Sequence, residues 1–329
     1  LFLAGRAVVR HLRQFAFRDR TVLITGGSRG FGLAMARALA AEGARLALCA
    51  RDAQELHRAA DDLAKYQTLV STHVCDVTDR EQVEAMVASV MAKSGTIDVV
   101  INNAGVIQAG PLDAMTCEDY EEAIQTHLFG PLTVNRTVLP HMRRHGRGRI
   151  VNISSIGGLI SVPHLVPYST SKFALVGYSL GLRAELAQDG IVVTTVCPGL
   201  MRTGSPRNAT FKGQHRQEYA WFKIASSLPF VTLSAESAAR QAIDGCRYGD
   251  GLVVLGYPMK IVSALAALAP GMTADVLGYI NRLLPPAGGI GTRRALGSES
   301  ESFLTESPLT TLTQWAAEAN NEIPGTASA

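Results

Sequence analysis

Seven short runs of aliphatic and β-branched residues, separated by stretches with helical spacing, constrain this chain more than any other feature. The runs are 21–25, 45–50, 69–74, 97–102, 149–154, 191–197 and 251–255, with helical stretches such as 32–42, 81–93, 118–141 and 172–188 between them. Most runs are almost continuously apolar, as strands covered on both faces must be. Alternating βα units demand a parallel sheet with helices on both sides and right-handed crossovers. The expected fold is therefore α/β, a doubly wound parallel sheet in a single domain over residues 21–257. Apolar residues make up 47% of the 329, enough for a sizeable core, which excludes a disordered or fibrous chain. A net charge of +3 is too small to point to nucleic acid as a partner.

Both ends depart from this pattern. Residues 1–20 form a basic amphipathic arm in which Val8, Val9, Leu12 and Phe15 recur among Arg6, Arg10, Arg13, Arg18 and Arg20. Such an arm packs on its own domain or lies on an anionic membrane surface. Residues 258–329 form an apolar helical extension and an acidic tail. Two apolar helices, 261–268 and 274–284, flank Pro270-Gly271, and Glu299, Glu301, Glu306, Glu318 and Glu322 follow without a Lys or Arg after Leu296. The tail either wraps the domain or is partly mobile. The uncharged stretch 261–274 is shorter than the roughly 20 residues of a spanning helix, and Pro270 interrupts it. Cys49, Cys75, Cys117, Cys197 and Cys246 are scattered, so they read as reduced, mostly buried thiols of a cytoplasmic protein. His141 and His145 lack a third ligand nearby, and the basic run beside them reads as a solvated helix end, so no metal is expected.

Thr25-Gly26-Gly27-Ser28-Arg29-Gly30-Phe31-Gly32 joins the first strand to the first helix. Glycines there allow a sharp turn, close approach to a pyrophosphate and tight packing of helix on strand, giving a Rossmann-like dinucleotide site. The phosphates would meet unpaired N–H groups at the helix N-terminus. An NAD site usually carries an acid at the end of the second strand, but Ala50 stands there, followed by Arg51. Arg29 can reach the same region, and two guanidiniums converging on a 2′-phosphate favour NADP(H). Asp52 reads instead as the cap of the next helix.

Tyr168 and Lys172 stand at i and i+4, on one face of a helix. A nearby ammonium favours tyrosinate and would lower the phenol's pKa from about 10 toward a usable range. Ser155 ends the fifth run, where a doubly wound sheet places ligand-binding side chains, and can hold a substrate carbonyl oxygen. Together with Asp76, Asn102-Asn103-Ala104-Gly105, and Pro198-Gly199 with Thr203, these residues follow the order and spacing of the short-chain dehydrogenase/reductase family, which residues 20–257 closely resemble. The resemblance implies hydride transfer between nicotinamide C4 and a carbonyl/alcohol carbon. It implies that Gly26, Ser28, Gly30 and Gly32 cradle the cofactor, Asp76 meets adenine, and Asn103, Ala104 and Gly105 line the site. Lys172 would also bond the nicotinamide ribose, and Pro198, Gly199 and Thr203 would hold the nicotinamide end.

One position departs from the family pattern. Alignment on Gly130 and Leu139-Pro140 puts His127 where members carry a catalytic Asn that holds a proton-relay water. The imidazole could hold that water, exchange protons itself, or merely fill the space. The segment 205–231, which covers the substrate in this family, carries Phe211, Tyr219, Trp221, Phe222 and Phe230. With the apolar helices beside it, a lipophilic small-molecule substrate is expected: steroid-like, retinoid-like or long-chain. Plain lid packing is the competing explanation. Those helices could also form a dimer surface or a shallow membrane foot, and family members often pair through their two long helices. A dinucleotide-binding scaffold without turnover is the rival to the enzyme.

Overall fold

The computed structural model describes residues 8–228, 232–303, 305 and 310–323. Arg6, Phe230 and Glu306, named above, lie outside the described residues. The main sheet contains β1 (Thr21–Thr25), β2 (Arg45–Ala50), β3 (Val70–Val74), β4 (Val99–Asn102), β5 (Gly148–Ile153), β6 (Ile191–Cys197) and β7 (Leu252–Val254). All seven are parallel, in the order β7-β6-β5-β4-β1-β2-β3. The reversal of strand order beside β1 opens a crevice at the carboxyl ends of β1 and β4, where such sheets bind ligands.

Helices α1 (Gly30–Ala41) and α2 (Ala53–Leu63) cover one face of the sheet, and α3 (Arg80–Ser94) covers the other. Asp52 caps α2 and Asp79 caps α3, each accepting two backbone N–H bonds, so Asp52 is a cap as expected. The stretch expected to be one helix over 118–141 is divided. Helix α4 (Cys117–Ile124) passes through a π-turn over Gln125–Phe129 into α5 (Gly130–His145). Pro131 has no N–H to give the His127 carbonyl, and the Gly130 N–H reaches back five residues to Gln125 instead. Helix α6 (Val166–Glu185) follows β5 and carries Tyr168 on its first turn. The lid contains α7 (His215–Ala225), and α8 (Ala235–Tyr248) packs beside α1.

A polar network crosses the core at the sheet's carboxyl end. Asn102 Nδ2 donates to Asn135 (2.9 Å) and Asn152 (2.8 Å), Asn152 donates to Ser179, and Thr195 donates to the same hydroxyl. It ties β4, β5 and β6 to α5 and α6 immediately behind the site.

The basic arm is fastened to its own domain from Arg10 onward, where Arg10 pairs with Asp250 at 3.1 Å and stacks on Tyr248. Phe17 is 1% exposed beneath the Arg247 guanidinium, Phe15 lies under Arg149, and Arg149 donates to the Arg13 carbonyl. Val8, Val9 and Leu12 remain exposed. Beyond β7, the chain bends by 118° between α9 (Tyr257–Leu268) and α10 (Pro270–Asn281). Among the described residues no single helix is long and apolar enough to cross a membrane. Both helices nonetheless hold apolar side chains outward, Leu268 at 83% exposure among them.

The described part of the acidic tail wraps the domain. Ala295–Leu296 pairs antiparallel with Thr210–Phe211, Arg294 bonds Asp119 and Glu122, and Glu301 pairs with Arg207. Helix α11 (Thr311–Ala319) then carries the chain back to the Gly-rich turn.

If the arm is an integral part of the fold, Phe17→Ala should cost about 3–5 kcal/mol, read as a lower urea midpoint. A loss below about 1 kcal/mol would mean that the arm is only loosely attached.

Candidate active site

The Gly-rich turn is held to β4 by side chain and backbone together. Thr25 Oγ1 accepts the Asn103 and Ala104 N–H groups at 3.0 and 3.1 Å, while Asn103 Nδ2 donates to the Thr25 and Gly26 carbonyls. Gly26 adopts φ +63°, and a Cβ there would lie 2.9 Å from Ala104 Cα. A Cβ on Gly32 would land on the Gly26 carbonyl oxygen. Gly105 is closed to a side chain by His127 Nε2, 2.9 Å from where its Cβ would be. These positions leave backbone facing the crevice at the start of α1, a form that fits a dinucleotide.

The charged groups expected around a 2′-phosphate are present but not brought together. Arg29 donates to Glu55 Oε1 (2.8 Å) and Asn208 Oδ1 (2.9 Å), whereas Arg51 lies 3.9 Å from Asp76. Glu55, in the first turn of α2, also accepts from Ser28 Oγ at 2.9 Å. Glu55 escaped the sequence reading because helical patterning marks it only as a first-turn acid. Asp76 turns its carboxylate to the Thr78 backbone and hydroxyl as well.

Ser155, Tyr168 and Lys172 converge at the end of β5. Ser155 Oγ accepts the Gly157 N–H at 3.0 Å and lies beside the Tyr168 ring, both bordering the space that a Gly157 Cβ would fill. Lys172 Nζ lies 5.7 Å from the Tyr168 ring centre and donates to the Ile153 carbonyl at 2.9 Å. The ammonium is 4% exposed, and burial pushes its pKa down to about 7. Burial also raises the Tyr168 pKa, against the Ser155 hydroxyl, which lowers it. Lys172 is not among the groups that move the Tyr168 pKa here, and burial disfavours its own ammonium too.

The π-turn directs His127 into the same cluster, edge-on to Tyr168 with ring centres 5.4 Å apart. Its Nε2 accepts the Val106 N–H at 3.1 Å, so Nδ1 carries the proton and donates to Ser171 Oγ at 2.7 Å. Ser171 in turn donates to the Tyr168 carbonyl. Burial first, and then the Lys172 charge, hold the imidazole well below its usual pKa. Both nitrogens are engaged and the ring is neutral, so proton exchange near pH 7, one of the three expectations for His127, does not fit. Bracing the 105–106 backbone against α6 does.

At the other end of the crevice, Pro198 accepts the Ile156 N–H, Thr203 donates to Ser205, and Gly199 packs against Met259 of α9. The lid aromatics mostly face one another: Phe211, Tyr219 and Phe222 form a buried cluster with Leu165. A cavity of about 830 Å³ lies beside them, lined by Leu159, Val162 and Phe173 and by Ala266, Leu277 and Pro286. Ser155 and Tyr168 are not in its wall, which instead includes Leu159, Ile160, Val162 and Val166 of the segment between them. The tail completes the surroundings: Asn320 accepts the Gly30 N–H and Glu322 accepts the Gly204 N–H.

Comparison with known proteins follows the same geometry. The short chain dehydrogenase family matches residues 20–212. A Streptomyces violaceoruber protein assigned as ketoacyl reductase 1 of the granaticin polyketide synthase is 43% identical over 183 residues, 55% of this chain and 67% of its own. Dehydrogenase/reductase SDR family member 7B of Bos taurus is 35% identical over 273 residues, 80% of this chain and 82% of its own. Among solved structures, a gluconate 5-dehydrogenase from Burkholderia cenocepacia in complex with NADP and tartrate superposes with a TM-score of 0.67 at 27% identity, covering 76% of this chain and 99% of its own.

The buried ammonium sets a pH test. Folding lowers the Lys172 pKa from 10.5 to about 7, so its cost to stability is full below pH 7 and fades as pH rises to 10.5. Lys172→Met should therefore stabilise the protein more at pH 6 than at pH 9, the difference being on the order of 2 kcal/mol. Equal effects at both pH values, read from urea midpoints, would show that the ammonium is solvated.

Proposed function

The chain belongs to the short-chain dehydrogenase/reductase family, and on that premise we propose an NADP-dependent oxidoreductase that passes a hydride between nicotinamide and the carbonyl/alcohol carbon of a lipophilic small molecule. The observation that carries this reading is the convergence of the Tyr168 ring and the Ser155 hydroxyl on Gly157, with Lys172 buried beside them at the edge of the glycine cradle. A bound nicotinamide supplies or accepts the hydride. Ser155 orients the substrate oxygen. In reduction Tyr168 gives that oxygen its proton as the carbon gains hydride; in oxidation it takes the proton back. Lys172 would favour tyrosinate when it is charged beside a bound nicotinamide, and His127 keeps the loop at Gly105 in place.

Arg29 and Arg51 support NADP over NAD. Each lies beside a carboxylate, Glu55 or Asp76, that a 2′-phosphate would compete with. The apolar walls of the cavity beside residues 159–166 and the outward apolar faces of α9 and α10 support a lipophilic substrate. The same faces, with Val8, Val9 and Leu12, suit peripheral contact with a membrane from the cytoplasm, while exposed Phe129 and Phe173 beside and on the long helices suit pairing of two copies. A second reading, nucleotide binding without turnover, draws on His127, whose ring nitrogens are both engaged within the protein.

Tyr168→Phe should lose at least about 100-fold in turnover while NADPH affinity, read by fluorescence, stays within about twofold of wild type. Near-normal turnover in that variant would remove Tyr168 from the chemistry. NADPH binding with no oxidation across a panel of apolar ketones and aldehydes would favour the second reading. Arg29→Ala and Arg51→Ala should each lower the preference for NADPH over NADH by about tenfold. An unchanged ratio in both variants would end the NADP assignment.

A further inference from the structure

The first helix of a dinucleotide site must leave its N-terminal N–H groups for phosphate, and here the chain's own tail has taken that of Gly30. Neither a side-chain cap nor an acidic first-turn residue serves α1, unlike α2 and α3. The Gly30 N–H instead donates to the Asn320 carbonyl at 2.9 Å, at the end of α11. The negative end of one helix dipole thus meets the positive end of the other. The Glu322 carboxylate lies 3.1 Å from where a Gly30 Cβ would stand and accepts the Gly204 N–H at 2.5 Å. Asn321 Nδ2 donates to the Ser28 and Glu55 carbonyls, while Arg37 and Arg58 clamp Asn320 and Asn321 from α1 and α2. Glu322 and Asn320 are buried, so this is a seated contact.

We propose that residues 310–323 act as an internal competitor for the coenzyme: the Asn320 carbonyl and the Glu322 carboxyl group stand where its pyrophosphate would lie, and dinucleotide binds only as this segment lifts. The proposal rests on the reading that Gly26–Gly32 holds the dinucleotide. The contact is also proton-linked. Burial pushes the Glu322 carboxyl up to about 7, with Glu55 adding to the rise and Arg29, Asn208 and the Gly204 N–H opposing it. Arg37 and Arg58 face the two preceding residues. Seating therefore favours the protonated acid and weakens as pH climbs from 4.5 through about 7.

The test compares the full chain with its Asn321→Ala/Glu322→Ala variant by NADPH fluorescence titration and hydrogen exchange. The variant should bind NADPH about tenfold more tightly at pH 6, and this gap should narrow at pH 8.5. In the wild-type chain, saturating NADPH should speed exchange in 310–323 while protecting 26–32. Equal or weaker binding by the variant, with 310–323 still protected in the NADPH complex, would overturn the proposal and make the tail a wall of the site, leaving the coenzyme assignment intact. If neither protein bound NADPH or NADH, the coenzyme reading would fall and take this proposal with it. A gap independent of pH would overturn the proton linkage.

Discussion

The whole site depends on four hydrogen bonds between the ends of two neighbouring strands. Thr25 closes β1 and Asn103 follows β4, and their exchange of backbone and side-chain bonds sets the Gly-rich turn against the Ala104–Gly105 backbone. Parallel pairing puts Thr25 opposite Asn102, so this junction falls at the sheet's switch point. The position of α1 follows from it, because Gly32 can sit on the Gly26 carbonyl only without a Cβ. His127 then closes the far side of the same backbone through Val106. A weakened junction would shift both the nucleotide turn and the floor beneath Tyr168.

Burial governs the chemistry of the cluster as much as its neighbours do. The same low-dielectric surroundings push Lys172 down, Tyr168 up and His127 down, each toward its neutral form. Such a site is reluctant to hold charge on its own. A cationic ring or an anionic phosphate arriving in the crevice would then act in a medium that screens it weakly. Function, in this view, is stored as desolvation that a ligand relieves.

What the sequence made legible was local. Aliphatic runs marked the seven strands, glycine spacing marked the turn, and i, i+4 spacing brought Tyr168 and Lys172 onto one helical face. Asp52 announced itself as a cap because capping involves only the next three residues. What stayed hidden was either a small change of helical period or a partner far along the chain. The π-turn at His127 arises from one missing N–H at Pro131, which leaves the apolar pattern of 118–141 unchanged. Glu55 meets Arg29 across 26 positions, and Asn321 meets Ser28 across 293. No periodicity carries such information, so two guanidiniums expected to converge are instead drawn to separate carboxylates. The lid aromatics stayed ambiguous for a related reason: composition gave their number, but only packing shows that Phe211, Tyr219 and Phe222 face one another.

The short ribbon at Thr210–Phe211 has a consequence of its own. It is paired on one side with Gln108–Ala109, next to the crevice, and on the other with Ala295–Leu296, at the root of the tail. The cover of the reaction chamber and the strap over the nucleotide turn thus share one mechanical joint. A shift at the root of the tail is passed through two residues of shared backbone to the rim of the crevice.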